Sequence, residues 1–285
     1  MRNSRFFRWG FSLVVALMIV SLPTLIKAQT VPSSFSVTPQ LGRLPLQKGA
    51  GYFAIRSKAY TNYQLPLLIT NDSDRELKVT THFNNAVTAA NGTINYANSM
   101  AQPRGKQSLT NKVIGSRTKH ITLAPHTNQI VTYQINTGRQ HQGITLGGIT
   151  ATAPVTKANG IQNDVTFVTG VSLNGQKNRP NLKKLRFDKA NVASEATAAT
   201  IIASVNNDYP QLLQHLRGKV FLKKGKQIIS SKSLTNVNIA PNSKVRFDLP
   251  PKKISKGNYQ VIIKLQGYHQ KLNISRHLSI NQTLN

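Results

Sequence analysis

The 285 residues carry 37 Lys plus Arg against 8 Asp plus Glu, a formal net charge of +29, and contain no cysteine. Without cysteine there are no disulfides, no thiolate metal sites and no cysteine nucleophile, and eight acids leave little for the paired carboxylates of a glycosidase. A field of this sign draws polyanions and steers them at low ionic strength, whatever fold lies beneath it.

Arg2, Arg5 and Arg8 lead into the apolar run from Trp9 to Leu22, followed by Pro23, Lys27 and the small residue Ala28. This is the pattern of an export signal over residues 1–28: about 14 apolar residues stand where a spanning helix needs about 20, and cleavage is expected after Ala28. Ile26 occupies a position usually held by a small residue, which leaves an uncleaved N-terminal anchor as the alternative. In both cases the rest of the chain works outside the cytoplasm, so nucleic acid drops out as a partner. A cysteine-free exported chain points to a Gram-positive bacterial surface. The abundant polyanions there are wall and lipoteichoic acids; around a host cell they are sulfated glycans. The plain alternative is charge that gives only solubility and loose wall retention.

The 257 residues after the leader exceed one ordinary core of roughly 100–150 residues, so two domains are expected. Periodicity of two dominates, and almost nothing repeats at 3.6. Strand candidates, rich in β-branched and aromatic residues, are Gln64 to Thr70, Leu77 to Phe83, Gln129 to Ile135, Ile144 to Ala153 and Asp164 to Leu173. Asn71 to Asp74 marks a reversal, Asn91 with Gly92 a turn before Thr93 to Tyr96, and the patternless stretch Asn98 to Arg117 reads as a loop or mobile excursion. Asn174 to Asn181 holds no apolar residue except proline and is the expected linker, setting one domain over 29–173 and another over 182–285. Beyond it come Leu182 to Phe187, Thr197 to Val205, Lys219 to Lys223, Gln227 to Ser231, Lys244 to Leu249, Tyr259 to Leu265 and Lys271 to Ile280, with Lys224 and Gly225 closing a hairpin. Many short strands and no long helix predict an all-β chain of two tandem β-sandwiches.

Chemistry that breaks bonds finds little support. Asp72, Asp74 and Glu76 place oxygens at alternate positions as half of a calcium loop does, but its glycine and distal bidentate acid are missing and Arg75 and Lys78 sit beside them, so the segment reads as a solvated turn. The seven histidines occur singly, without His-Glu-x-x-His spacing, and no serine sits in a Gly-x-Ser-x-Gly elbow or a supported Ser-x-x-Lys context. No catalytic residue, cofactor or metal site is assigned.

Residues 176–285 hold 20 basic and 4 acidic groups, against 13 and 4 in residues 29–175. A strand over Leu182 to Phe187 sets Lys184 and Arg186 on one face, beside Lys183, with Leu185 and Phe187 on the other. Lys219 and Lys223 bracket Phe221, and Lys224 and Lys226 flank the adjacent turn. These seven cations are the candidate polyanion-binding residues; the alternative is scattered solvated lysines with no common patch. Gly147 and Gly148, inside a strong strand pattern, predict a bulge or else a ligand or partner strand lying close over the backbone.

Taken in order, several segments resemble the WxL-interacting protein family of Gram-positive cell surfaces. In the first part they are Phe35 to Pro39, Tyr52 to Ile55, Leu68 to Asn71, Ala86 to Tyr96 and Gly143 to Ile149. In the second they are Ile202 to Asn206, Val237 to Ser243, Gly257 to Tyr259 and the strand ending in Leu278 to Ile280. The resemblance implies two immunoglobulin-like domains without catalysis, the first binding peptidoglycan and the second host components, in a complex with WxL-domain proteins. It transfers roles to domains and to no single side chain. Family members usually continue into a C-terminal transmembrane helix with a basic tail, whereas this sequence stops at Asn285.

The expected function is therefore a cell-surface binding or scaffolding protein, wall-associated or secreted. It would hold peptidoglycan and anionic wall polymers, WxL-domain partners and host extracellular matrix. The alternatives are an adhesin for a host matrix protein or sulfated glycan, and an exported two-sandwich chaperone that offers an edge strand to WxL partners.

Overall fold

Alternation along each strand decides the architecture, described here from a computed structural model for residues 35–90, 92–104, 107–139, 142–156, 162–175, 179–194 and 198–283. The proposed leader and its cleavage site lie outside these residues. The first sandwich is built from β1 (Phe35–Pro39), β2 (Phe53–Arg56), β3 (Asn62–Asn71), β4 (Leu77–Asn85), a ribbon of β5 (Val87–Thr88) and β6 (Ile94–Asn95), β7 (Val113–Ile114), β8 (Thr118–Leu123), β9 (Asn128–Asn136), β10 (Ile144–Thr156) and β11 (Gln162–Asn174). A sheet ordered β1-β3-β9-β7 accompanies one ordered β2-β11-β10-β4-β8. Among the described strands only β2 runs parallel to its neighbour, β11. On β3, Leu65, Leu67 and Ile69 are buried while the residues between them are not, and they share a core with Val79, Phe83, Ile149 and Ala151 of the second sheet. Tyr133 crosses this core; its hydroxyl donates to the Arg117 carbonyl at 3.2 Å and lies 2.7 Å from Thr81 Oγ1, so its one polar atom is satisfied.

The second sandwich follows the same logic with β12 (Arg186–Ser194), β13 (Ala199–Asn207), β14 (Leu213–Lys224), β15 (Gln227–Ile239), β16 (Ser243–Asp248), β17 (Gly257–Gly267) and β18 (Gln270–Ile280). Its sheets are β12-β13-β16 and β15-β14-β17-β18. Val220, Leu222, Val261, Ile263 and Leu265 pack with Ile201, Ala203, Val205, Val245 and Phe247. The fold is all-β, with two tandem sandwiches.

Three local readings change. The strand expected from Leu182 begins instead as a 3-10 turn, Leu182–Lys184, and β12 starts at Arg186. Leu182 and Leu185 are both buried, a spacing of three that suits one tight turn, and Asn181 Oδ1 accepts from the Lys183 N–H at 2.9 Å to cap it. The stretch Asn98 to Arg117, read as a loop or mobile excursion, is pinned at its centre. Asn85 Oδ1 accepts from the Leu109 and Thr110 N–H groups at 2.9 and 3.1 Å, while its Nδ2 donates to the Ala101 carbonyl at 3.1 Å. Leu109 is wholly buried in the first core. The bulge expected at Gly147 and Gly148 is absent, since β10 pairs without a break through both glycines to β4 and β11. Each glycine instead gives room to a neighbour: a Cβ on Gly147 would stand 2.6 Å from Leu109 Cδ2, and one on Gly148 would stand 3.0 Å from Tyr96 Cβ.

The two sandwiches meet through the β5-β6 ribbon. Thr88 Oγ1 accepts from the Ala240 N–H at 2.9 Å and lies 2.6 Å from Ser243 Oγ, which itself donates to the Ala240 carbonyl. The Asn238 N–H donates to the Gly92 carbonyl at 2.7 Å, and Arg104 Nε meets Asp208 Oδ1 at 2.9 Å. Ala86, Leu146 and Ala240 form a small apolar cluster between the two cores, with Ile94, Tyr96, Ile144 and Leu212 packed against it. Gly143 sits at φ +73°, and any Cβ there would run into the Pro210 carbonyl, whose oxygen accepts from the Ile144 N–H at 2.8 Å. Gly143→Ala is therefore expected to lower the unfolding free energy by about 1–3 kcal/mol, measured as a reduced denaturant midpoint at unchanged slope.

Candidate functional site

The outer face of the sheet β15-β14-β17-β18 is cationic. On β14, Val220 and Leu222 point inward, so Arg217, Lys219, Phe221 and Lys223 point out. Lys264 of β17 stands directly opposite Lys219, and Lys271 of β18 lies in the row of Arg217 and Gln266. None of the four strands contains an Asp or Glu. Phe221 lies between the two opposed lysines, its ring centre 5.4 Å from Lys219 Nζ and 5.7 Å from Lys264 Nζ. Arg217, Lys219, Lys264 and Lys271 also line a groove of about 590 Å³ that includes Leu234, Leu265 and Leu272.

The acids of this sandwich lie elsewhere, and the described ones are engaged. Asp188 of β12 meets Lys244 Nζ at 2.6 Å, Asp248 of β16 meets Arg246 at 2.7 Å, and Asp208 meets Arg104 at the joint. Hydrogen bonding to Lys244 comes first among the causes that hold the Asp188 carboxyl below the usual aspartate value.

The seven cations singled out in the sequence are spread along the sandwich. Lys183, Lys184 and Arg186 gather at the turn before β12, with Lys184 Nζ 4.8 Å from the Tyr209 ring centre. Gln270 ties this turn to the β17-β18 end by accepting from the Leu182 N–H at 2.9 Å. Lys224 and Lys226 sit at the β14-β15 turn at the opposite end, roughly 23 Å along the strand from Arg217, and Lys224 Nζ lies 5.4 Å from the Tyr259 ring. Lys219 and Lys223 share the open face between them. Arg217, Lys264 and Lys271, which complete that face, were not singled out because they become neighbours only through cross-strand register.

A face of different chemistry lies on the sheet β2-β11-β10-β4-β8. Gly148 and Gly170 are cross-strand partners. A Cβ on Gly170 would lie 3.3 Å from the Tyr52 ring, while Tyr96 covers Gly148, so two tyrosines rest on a glycine floor. Burial first, and then the neighbouring Tyr52, push the Tyr96 phenol above its ordinary value. Beyond the tyrosines the face carries Thr150, Val168 and His82 in one row, then Thr152, Thr166 and Thr80 in the next. Thr152 and Thr166 hydroxyls lie 2.8 Å apart, and Thr118 Oγ1 lies 2.8 Å from His82 Nδ1.

The acidic segment after β3 is a turn organised by Asn71 and not by its acids. Asn71 Nδ2 donates to the carbonyls of Arg75 and Ala124 at 2.7 and 2.9 Å, while its Oδ1 accepts from Ser73 Oγ at 2.7 Å. Asp74 reaches only the exposed His126, at 2.8 Å. Among the described residues no three His, Asp or Glu side chains converge as metal ligands do, and no helix is long and apolar enough to cross a membrane.

Two family models match in tandem. The WxL Interacting Protein peptidoglycan binding domain matches residues 35–153, and the WxL Interacting Protein host binding domain matches residues 156–284. The chain belongs to the WxL-interacting protein family. The border between the WxL-interacting protein models falls within β10, whose partner β11 completes the first sandwich. No curated protein matches the chain in sequence. Among solved structures it is similar to that of the Salmonella enterica SafA pilin in complex with the SafB chaperone, at 10% identity and TM-score 0.30, covering 79% of this chain and 98% of that one. It is also similar to the CsuC-CsuE chaperone-tip adhesion subunit complex of Acinetobacter baumannii, at 9% identity and TM-score 0.35, covering 76% and 98%. A further likeness is to the E. coli chaperone DraB, at 13% identity and TM-score 0.28, covering 79% and 100%.

The charge division within the second sandwich has a pH signature. Because the folded chain holds Asp188 below its ordinary value, the pair with Lys244 stabilises fully above the unfolded aspartate pKa and fades as pH falls through the folded one. Asp188→Asn is expected to lose up to about 1 kcal/mol near neutral pH and to match the parent in strong acid, read from urea unfolding midpoints across a pH series.

Proposed function

We propose that this chain is a non-catalytic, exported surface protein that attaches to peptidoglycan, associates with WxL-domain proteins and presents its second sandwich to host components. In this reading residues 29–173 form the wall-binding domain, 174–181 the linker and 182–285 the host-binding domain. The observation that carries it is the tandem match to the two family models over nearly the whole chain after residue 34. Electrostatics supports a second contribution. A sheet with five outward cations and no acid attracts any polyanion, which in a Gram-positive wall means teichoic acid.

A second reading is favoured by the same sheet: an adhesin whose main ligand is a sulfated glycan or acidic matrix protein of the host, with the wall as its support. The candidate cations Lys183, Lys184, Arg186, Lys219, Lys223, Lys224 and Lys226 belong to either version, with Arg217, Lys264 and Lys271 added on geometric grounds.

Replacing Arg217, Lys219, Lys264 and Lys271 together with glutamine separates charge from recognition. The variant is expected to elute from heparin at lower salt, to lose about 3–4 units of slope in log K against log salt on a polyanion, and to unfold at an unchanged or higher temperature because like charges are relieved. Its pelleting with peptidoglycan stripped of teichoic acid is expected to stay at the parent level. Unchanged heparin elution would discard the cationic face. Loss of wild-type pelleting at moderate salt would discard wall recognition.

A further inference from the structure

We infer that the outer face of β10 and β11, with Tyr52 and Tyr96 at one end and threonines beyond, is the surface on which the first sandwich lays down an uncharged stretch of amino-sugar chain. The inference rests on the reading of this domain as peptidoglycan-binding, and names the part of that polymer it would take and the residues that would hold it.

The floor is what makes the platform. Strand centres are poor places for glycine, because it adds entropy to the unfolded chain and packs nothing. Here two glycines face each other across β10 and β11, and each lies under a tyrosine of the same chain. A ring laid against bare backbone has its position set by the sheet and loses little freedom when something stacks on it; Tyr96 is held further by packing on the Ala86, Leu146 and Ala240 cluster, and Tyr52 is the more open of the two. Tyr52 is 41% exposed, and Val168, two residues from Gly170 on the same face, is 46% exposed. A pyranose ring offers a matching surface: axial C–H bonds stack on an aromatic face while its rim of hydroxyl and acetamide groups seeks hydrogen bonds.

The next rows supply those bonds. Thr152, Thr166 and Thr80 have hydroxyls that both donate and accept, and successive rows of one face lie about 6.6 Å apart along a strand. The rows from the tyrosines to Thr80 contain no Lys, Arg, Asp or Glu, so nothing there favours an anion over a neutral chain. In a protein carrying +29, an extended face without a formal charge stands apart from its surroundings. It also differs from the face of β14 and β17, where opposed lysines suit a polyanion and not a neutral sugar.

The test uses the full exported chain with chitohexaose, an uncharged N-acetylglucosamine oligomer, by titration calorimetry in 0.5 M salt, alongside pelleting with peptidoglycan stripped of teichoic acid. The parent is expected to bind chitohexaose; Tyr52→Ala is expected to weaken it about tenfold, Tyr52→Phe to restore it, and Val168→Glu to weaken both sugar binding and pelleting. Urea unfolding midpoints of all three variants are expected to stay close to the parent, which shows the first sandwich folded, and their heparin elution, set by the second sandwich, is expected to match the parent. If the parent pellets with peptidoglycan but ignores chitohexaose, or if Tyr52→Ala and Val168→Glu bind as the parent does, the platform is overturned while wall binding stands. If the parent neither pellets nor binds the sugar, both readings fall.

Discussion

A β-strand places successive side chains on opposite faces, and in each sandwich the need to bury one face determines what the other is free to carry. Leu65, Leu67 and Ile69 on β3 and Val220 and Leu222 on β14 are buried by this rule, and the residues between them inherit the surface. A slip of one residue on β14 would bring Lys219 and Lys223 into the core and expel Val220 and Leu222. Register and surface chemistry are therefore one property, and the hydrophobic pattern sets both.

Magnitudes show why the second sandwich tolerates its charge. Opposed like charges such as Lys219 and Lys264 cost some tenths of a kcal/mol, reduced further by salt. Each fully buried Val, Leu or Ile contributes about 1.5–3 kcal/mol, and the core beneath that sheet holds many of them. The core outweighs the repulsion several times over, so the cations can stay unpaired. Phe221 softens the contact by offering one ring to both ammonium groups. The described acids of this sandwich are spent on the other sheet and at the joint, on Lys244, Arg246 and Arg104.

What the sequence made legible follows from the range over which each signal acts. Strands with strict alternation, such as β3, β4, β17 and β18, stand out because the signal is local and repeats. β1, β2 and β8 were passed over: four to six residues are too few for a period to show, and β2 is held by parallel pairing to β11, more than a hundred residues away. The turn Leu182–Lys184 was mistaken for strand because Leu182 and Leu185 at spacing three resemble an irregular alternation until the Asn181 cap is seen. Gly147 and Gly148 announced that something approaches the backbone, and it does, but the approaching groups are the Asn84 carbonyl, Leu109 and Tyr96 of the chain itself. Lys219 and Lys223 were visible as a pair astride Phe221, whereas Lys264 and Lys271 join them only through pairing that no local pattern encodes.

The joint between the sandwiches gives these separate surfaces a common consequence. Thr88, Gly92 and Arg104 reach across to Ala240, Asn238 and Asp208, and the ribbon that carries the first two also positions Tyr96 over Gly148. The element that clamps the sandwiches thus also completes the tyrosine platform, and a change that loosens the clamp at Thr88 disturbs the seat of Tyr96. Two weak surfaces clamped into one body gain from each other when their ligands belong to one polymer network, because binding at the first raises the effective concentration at the second without any new contact. A peptidoglycan layer threaded with teichoic acid is such a network. The neutral face and the cationic face can then each be modest in affinity, and the salt dependence of the whole reports only the cationic share.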